Sequence, residues 1–532
     1  MKKPTKYFSL IMILILILTG CSTKEQEGIT NIKKEQDVEI KVEKDKNSEP
    51  ITLNLEGGDW GYLSPYTHYS RGPGSYKMKL IFDSMLERGE EGLIPWLAES
   101  WDIDETGTDY IFKIRKGINW HDGEPMTAED IKFSFEYYAK HPPVSDELNL
   151  SKNNYIKEIN IIDEDIINIK VESPDATLLE RFGMSRIIPK HIWEKVDDPI
   201  KFDLPEAVIG CGPYILKDYN KEQGAYKLEA FEDYWGPKQK ANIIRFIPVS
   251  DNILAFENGD IDITGITPDI LSKYKDNPKY KVIENPAFWG YKLVFNMEKR
   301  PELKNKELRQ AIAYAIDKEE LIEKVARGAA KPASPGYLPV EHVLYNKDIQ
   351  QYDFDLEKSK ELLNGNSYDF TLLTGNSNAE VRIGELIKIN LEKVGINVDV
   401  QSLDSKSRDG AIKNGDYELA LNGHGGWGND ADILRRQYAQ ISTGPTFSSG
   451  IPGYSNEEIN KLCEKQLIEI DEEKRKEIIF QLQFLIAEEI PQIPLYNTSG
   501  YTVYMPEKYD GWKHVFNHHE VTHNKISYLQ MD

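Results

Sequence analysis

The stretch Ala98–Tyr138, "AESWDIDETGTDYIFKIRKGINWHDGEPMTAEDIKFSFEYY", sets strand, turn and helix signals side by side. In "DYIFKIRKGINW" Ile111, Lys113 and Arg115 alternate with Phe112 and Ile114, the period of a strand with one buried face. "HDGEP", His121–Pro125, carries the glycine and proline of a turn. In "MTAEDIKFSFEYYAK" Thr127 and Asp130 then fit a capping box, in which hydroxyl and acid each satisfy a free N–H at a helix start.

The mixture continues outward. "ITLNLEGG" (Ile51–Gly58) alternates like a strand, and "GSYKMKLIFDSMLER" (Gly74–Arg88) places Met78, Ile81, Phe82 and Met85 at helical spacing. "KNKELRQAIAYAIDKEELIEKVARG" (Lys304–Gly328) sets Leu308, Ile312, Ala315, Leu321, Ile322 and Val325 largely on one side of a helix. "AEVRIGELIKINLEKVG" (Ala379–Gly395) predicts a helix through Val381, Ile383, Ile387, Leu391 and Val394. It runs into "INVDVQSL", where Ile396, Val398 and Val400 alternate. Helix, glycine, strand is an αβ unit. The same step recurs at "FENGDIDI" (Phe256–Ile263) and "IKNGDYELAL" (Ile412–Leu421), too scattered for a solenoid and consistent with mixed α/β lobes.

At 532 residues the chain exceeds one hydrophobic core, because cores stop growing at roughly 250–300 residues. The formal net charge is −23. With Lys2, Lys3 and Lys6 in a segment expected to be removed, 62 basic residues face 88 acidic ones and the charge becomes −26. Such a surface repels phosphates, which argues against a nucleic acid partner.

"MKKPTKYFSLIMILILILTGC" opens the chain with lysines, a 12-residue apolar run from Tyr7 to Leu18, and then Leu18-Thr19-Gly20-Cys21. A spanning helix needs about 20 residues, so this reads as an export signal over residues 1–20. Its ending resembles a bacterial lipobox, which implies lipidation of Cys21; an uncleaved anchor is the other reading. Both put the remaining chain outside the cytoplasm, at the outer face of the plasma membrane. Residues 21–49 are charged and contain no aromatic residue, the composition of a flexible tether. Residues 22–49 would span roughly 30 Å as a coil. No second long apolar run occurs, so the chain is not expected to be a permease itself. Cys211 and Cys463 are the other cysteines, with no CxxC and no disulfide framework; whether they pair stays open.

Taken whole, Ala98–Tyr138 closely resembles the signature of the family 5 extracellular solute-binding proteins, which serve ABC importers of oligopeptides, dipeptides and nickel complexes. "GCGPYIL" (Gly210–Leu216) resembles a family turn, with Cys211 in place of a small hydroxyl residue. "FENGDIDI", "YKLVFNMEKRPELKNKELRQAIAYAIDKEELI" (Tyr291–Ile322), "GYSNEEINKL" (Gly453–Leu462) and "IPQIPLY" (Ile490–Tyr496) extend the likeness over about residues 51–525. The resemblance implies a two-lobed α/β clamshell of the periplasmic-binding-protein type, with an extra subdomain in the first lobe. Lobe I would cover 51–288, with the inserted subdomain at about 85–205; lobe II would cover 289–499, and 500–532 would return to lobe I. It further implies a monomer that needs no cofactor, catalyses nothing, and hands its ligand to permease and ATPase subunits.

The stretch "NGHGGWGND" (Asn422–Asp430) holds the family's W-x-x-D pattern at Trp427 and Asp430. In peptide binders of the family this acid receives the ligand's α-ammonium group. The resemblance therefore implies Asp430 as an amino-end anchor and Trp427 as pocket wall. The chemistry is direct, since a cation that loses its water needs a charged partner. An alternative role for Asp430 is capping the following helix "ADILRRQYAQ" (Ala431–Gln440). His424 beside Trp427 keeps a nickel complex or metallophore open as a second ligand class. Trp289 and Tyr291 in "FWGYKLVFN", and Tyr69 and Arg71 in "HYSRGPG", are further ligand candidates; hinge packing is the other reading of the first pair. The chain departs from some dipeptide binders at "LTGNSNAEV" (Leu373–Val381), which has no arginine for the peptide carboxylate.

The remaining motifs read as structural. Trp120, His121, Asp122 and Gly123 sit at the turn before the capped helix, and Trp96 and Trp101 are expected to pack in the first lobe. "HEVTH" (His519–His523) satisfies HExxH, but Val521 and Thr522 are β-branched and "KHVFNHH" shows no amphipathic helix. A structural role for His514, His518, His519 and His523 is expected instead of a metalloprotease. No GxxxxGK[ST] and no GxSxG string occurs.

Overall fold

The computed structural model describes residues 50–531 apart from 71, 72, 146, 149, 151–154, 288, 426, 429, 441–450 and 517–520, and apart from the side chain of His424. The export signal, Cys21, the tether, Arg71, His518, His519 and Glu520 therefore lie outside the described residues. Among those described, no helix is long and apolar enough to cross a membrane.

Two large buried cores organise the structure, and each defines a lobe. The first gathers residues from Leu53 to Ile263 and again Tyr504, Tyr509, Trp512, Tyr528 and Leu529. The second lies within Tyr291–Tyr496. Cys211 is buried in the first and Cys463 in the second, and both thiols are free.

In the first lobe Thr52–Glu56 runs parallel to Ile243–Ile247 at the edge of a four-stranded sheet completed by Ala225–Ala230 and Tyr214–Asn220. A second, antiparallel sheet runs in the order Ala98–Ile103, Asp109–Ile114, Ile166–Val171, Ile156–Asp163. Tyr110, Phe112 and Ile114 point into its core while Ile111 and Lys113 face out, so the alternation is kept. The capping box forms, with the Thr127 N–H donating to Asp130 Oδ2 at 2.8 Å and starting the Ala128–Lys140 helix. Trp96 and Trp120 are buried, and half-buried Trp101 packs on the same core.

His121 ties two of the family-like stretches together. Its N–H donates to Gly210 O at 2.8 Å and its Nε2 meets Gly212 O at 2.9 Å. Burial lowers its pKa to about 4, so the ring is neutral. A β-carbon on Gly210 would lie 2.0 Å from Ile81 O, which explains a glycine there.

The helix predicted across Gly74–Arg88 is shorter. It spans Pro73–Lys79, and Leu86–Arg88 is a strand. Leu80, Ile81 and Phe82 are completely buried, so no helical face remains for solvent, and Ile81 O accepts the Gly212 N–H instead of closing a helical turn. The single helix read across Lys304–Gly328 is two, Lys306–Ala315 and Lys318–Lys324. Asp317 accepts the Glu320 N–H at 2.9 Å and starts the second.

The second lobe holds a six-stranded sheet in the order Ala330–Pro332, Gln492–Thr498, Trp289–Phe295, Leu419–Gly425, Tyr368–Gly375, Ile396–Leu403. The last three are parallel. From Tyr368–Gly375 the chain passes through helix Asn378–Glu392 to the strand on one side. It then returns through helix Ser405–Asn414 to the strand on the other. This reversal makes the carboxyl ends of Tyr368–Gly375 and Leu419–Gly425 a topological switch point, the place where open α/β sheets bind ligands.

Between the lobes the chain passes forward near 285–287 and back near 499–500. These passages are paired on both sides. Trp289 pairs with Thr498 in the second lobe, and Lys281–Glu284 pairs with Tyr501–Tyr504 in a small three-stranded sheet with Ile263–Ile266. Asn285 N–H also donates to Gly500 O at 2.8 Å, and the Thr498 hydroxyl to Trp289 O at 2.8 Å.

Candidate functional site

The switch-point edge of the second lobe brings several expected residues together. Trp289, Gly290 and Tyr291 stand opposite Gly425, His424 and Gly423 in antiparallel register. Trp289 is 38% exposed, and its ring meets Tyr291 edge-on at 4.6 Å. Tyr291 is buried and meets Tyr496 at 5.7 Å, so three aromatic rings line this edge. A β-carbon on Gly423 would lie 2.6 Å from the Trp289 ring, so this glycine lets the indole lie against the strand. The backbone of His424 belongs to that strand.

Beside the aromatic row lies a charged cluster that the sequence reading did not single out. Glu380, in the first turn of helix Asn378–Glu392, is buried and pairs with Arg408, whose guanidinium also meets Asp409 at 2.8 Å. The Ser377 hydroxyl donates to Glu380 Oε2 at 2.6 Å. Burial and then Glu380 push the Tyr291 hydroxyl up to about 12, with Arg408 opposing them. The S-x-x-E spacing of Ser377 and Glu380 was a usable signal for a capped helix start. Nothing local marked Arg408 as its partner.

Trp427 and Asp430 are both held by partners within the second lobe. Trp427 is 1% exposed and packs in the second core, 5.9 Å from the Tyr337 ring. Asp430 is held by Arg475 in a two-pronged pair, Oδ2 to Nη1 at 2.6 Å and Oδ1 to Nη2 at 2.9 Å. Its Oδ1 also accepts the Asp432 N–H at 2.7 Å. The following helix begins at Ile433 with Asp432, not Asp430, in the cap position, and the Asp432 carboxylate is turned to Arg435 at 2.6 and 2.8 Å. Gln466 joins the two pairs, accepting from Arg475 at 2.9 Å and donating to Asp432 at 3.1 Å. Arg475 comes from the charged run "DEEKRKE", which by sequence is indistinguishable from a solvated helix start.

On the first lobe a cavity of about 270 Å³ is lined by Glu56, Trp60, Tyr76, Thr264, Thr502 and His523, among others. Tyr69 is 54% exposed and packs on Trp60 at 5.7 Å. His523 stacks on Tyr76 at 4.9 Å, and burial lowers its pKa to about 3. Behind Tyr76, Lys77 Nζ is buried 4.1 Å from the Phe246 ring centre, and burial lowers its pKa. Val521–His523 is a turn, not a helix. Among the described residues, no group of three His, Cys, Asp or Glu side chains could hold a metal ion.

Two α/β lobes joined by paired passages, with an aromatic, glycine-backed edge at a switch point, define a solute-binding protein of the periplasmic type. The signature of the bacterial extracellular solute-binding proteins, family 5, matches residues 92–443, and the chain belongs to that family. It is similar to heme-binding protein A of Haemophilus influenzae, 28% identical over 464 residues that cover 80% of this chain and 83% of the relative. It is similar to the dipeptide-binding protein of Escherichia coli, 26% identical over 447 residues that cover 76% and 81%. Its fold resembles the ABC transporter substrate-binding protein CtaP of Listeria monocytogenes, with a TM-score of 0.75 and 26% identity over 91% of this chain and 100% of that one. The protein is thus an extracytoplasmic substrate-binding protein of an ABC importer, a binder and not an enzyme.

Proposed function

We propose that the solute is a peptide, bound between the lobes and passed to the importer's permease. The observation that carries this reading is the second-lobe edge. The strand end at 423–425 pairs with Trp289–Tyr291 along one edge, while its other neighbour pairs with it only at Leu419 and Ala420, so its second edge is offered to a ligand main chain and the Trp289 and Tyr291 rings offer cover to side chains of many kinds. The dipeptide-binding relative supports the same class. Tyr69 and Arg71 are the candidates on the first lobe.

Asp430 is the proposed partner of the peptide's amino end. Arg475 and the Asp432 N–H occupy three of the roughly four lone-pair positions on its carboxylate, which leaves one for an ammonium group. Because Arg475 already neutralises the acid, the ammonium gains mainly a charge-assisted hydrogen bond, worth about 1.5–3 kcal/mol. Asp430→Asn keeps the shape and should weaken peptides with free amino ends roughly tenfold or more, while amino-blocked peptides change little. Equal weakening of both would remove Asp430 from the site.

The test of the ligand class is calorimetry of the soluble domain against a peptide library, nickel with histidine, and hemin. The hemin arm answers to the heme-binding relative, and the nickel arm to His424. Tight nickel–histidine or hemin binding without peptide binding would overturn the peptide reading. Anchoring through a lipid on Cys21 completes the proposal and rests on the lipobox-like ending of the export signal. Labelled palmitate should enter the wild-type protein in its host, whereas Cys21→Ser should take up none and appear in the medium.

A further inference from the structure

Away from both passages between the lobes, the two lobes meet at a small corner. The first lobe contributes the tight turn between strands Ala98–Ile103 and Asp109–Ile114, and the segment 174–177. The second lobe contributes residues 467–470, which join its helices Glu457–Ile468 and Glu472–Glu489. The Ala176 N–H donates to Leu467 O at 2.7 Å. Ile470 covers Gly107: a β-carbon on that glycine would lie 2.7 Å from Ile470 Cγ2 and 3.1 Å from Pro174 Cβ. Gly107 has φ +69°, a conformation that also favours glycine.

Asp175 precedes Ala176 in this corner and is held by its own turn. Its Oδ1 accepts the Thr177 N–H at 2.8 Å and the Thr177 hydroxyl at 2.6 Å, and its carbonyl accepts from the Tyr110 hydroxyl at 3.3 Å. Across the boundary Arg475 Nε donates to Gln466 O at 2.9 Å, one residue before the Leu467 carbonyl that the Ala176 N–H holds, so the Asp175 charge and this arginine approach the same stretch of second-lobe chain from its two sides. Burial disfavours the charged forms of Arg435 and Arg475, but Asp432 beside the first and Asp430 beside the second outweigh it and raise both values, with a smaller contribution from Asp175 in each case. Arg475 is the same residue that grips Asp430.

We propose that this corner is a clasp that holds the lobes in the closed arrangement, with Asp175 of the first lobe engaging the Arg475–Asp430 pair of the second. Among the described residues the contact rests on a backbone hydrogen bond, an apolar contact and a set of charges, small enough to open and re-form. Its members come from both lobes and from neither passage. It opposes separation of the lobes at a point where the paired passages do not. The clasp rests on the solute-binding role of the family and not on the peptide reading.

The test needs no ligand. Ala176→Cys with Leu467→Cys places two thiols across the contact, while Cys211 and Cys463 stay buried. In solute-free protein the new pair should cross-link under mild oxidation, and the cross-linked form should scatter X-rays with a smaller radius of gyration than the reduced form. Asp175→Asn, which keeps the Oδ1 acceptor of the turn and removes the charge, should slow cross-linking about tenfold without changing the melting temperature. Absence of cross-linking would overturn the clasp. So would equal radii, because the contact would then be permanent, and so would a cross-linking rate indifferent to Asp175→Asn. A failed peptide screen leaves each of these outcomes readable.

Discussion

Replacing Lys525 by methionine should cost the first lobe about 3–5 kcal/mol, the usual loss when one member of a buried ion network is removed. The Lys525 side chain is 1% exposed and donates to Asp83 at 2.6 Å and to Glu87 at 2.8 Å. Glu87 is held a second time by Arg186 at 2.9 Å, and Asp83 also accepts from Trp235 Nε1 at 3.0 Å and the Tyr234 hydroxyl at 3.2 Å. Methionine fills the space but strands the Asp83 carboxylate. For a lobe of this size the melting temperature should fall by roughly 10 °C. Acid should have the same target. Burial alone would raise the Glu87 pKa, but Arg186 and Lys525 overcome it and hold the carboxyl far below its ordinary value of 4.5. That stability is complete above the ordinary value and is lost as pH falls beneath it. The wild type should therefore lose first-lobe stability more steeply on acidification than Lys525→Met, which has already forfeited part of it. Chemical denaturation at several pH values, followed by first-lobe tryptophans, reads both effects.

Lys292→Met should do the opposite in the second lobe. Lys292 is 4% exposed; its Nζ donates to Gln437 Oε1 at 2.9 Å and lies 5.2 Å from the Tyr337 ring centre. Among the described residues no ion pair forms there, and burial lowers its pKa from 10.5 to about 7. Below pH 7 the amine is protonated in both folded and unfolded chains, so the full penalty of burying the charge is present. Between 7 and 10.5 only the unfolded chain holds the proton, and stability climbs with pH; above 10.5 the penalty is gone. Integrated across that window the penalty is about 5 kcal/mol. Methionine avoids it and gives up one hydrogen bond of about 1 kcal/mol to a half-buried amide. The variant should gain about 3–4 kcal/mol at pH 7 and show a shallower rise of stability between pH 7 and 10.5, the remainder coming from Lys318, whose pKa burial lowers to about 8. An unchanged slope would mean that Lys292 finds a counter-charge in solution.

What the sequence disclosed and what it withheld divide along the range of the interactions. The Tyr110–Ile114 alternation, the Thr127–Asp130 box and the Gly395 stop are written within a few residues of each other, so they could be read directly. The mixed α/β two-lobed fold followed from them and from the family resemblance. Leu80–Phe82 misled because a segment buried on every side carries no polar face from which to read a period. Trp289, Tyr291 and the Gly423–Gly425 strand end were named separately and meet through sheet register. Trp427 shows the limit: a tryptophan beside glycines suits a pocket wall or a core equally well, and only the position of Tyr337, 90 residues earlier, decides which surface receives the ring. Arg475 and Lys525 reach Asp430 and Asp83 over 45 and 442 residues of chain, and no local pattern encodes such pairs.

The paired passages between the lobes have a mechanical consequence. Two segments hydrogen-bonded edge to edge above and below the crossing form a flat strap. Sliding one segment along the other would break its rungs, at about 1 kcal/mol for each hydrogen bond. Two-stranded ribbons tolerate a wide range of twist, so torsion is cheap by comparison. The lobes are therefore hung to rotate about the length of the strap while resisting shear across it. Trp289 is itself the first rung on the second-lobe side, so any such rotation carries its ring through an arc like a vane fixed to the spindle.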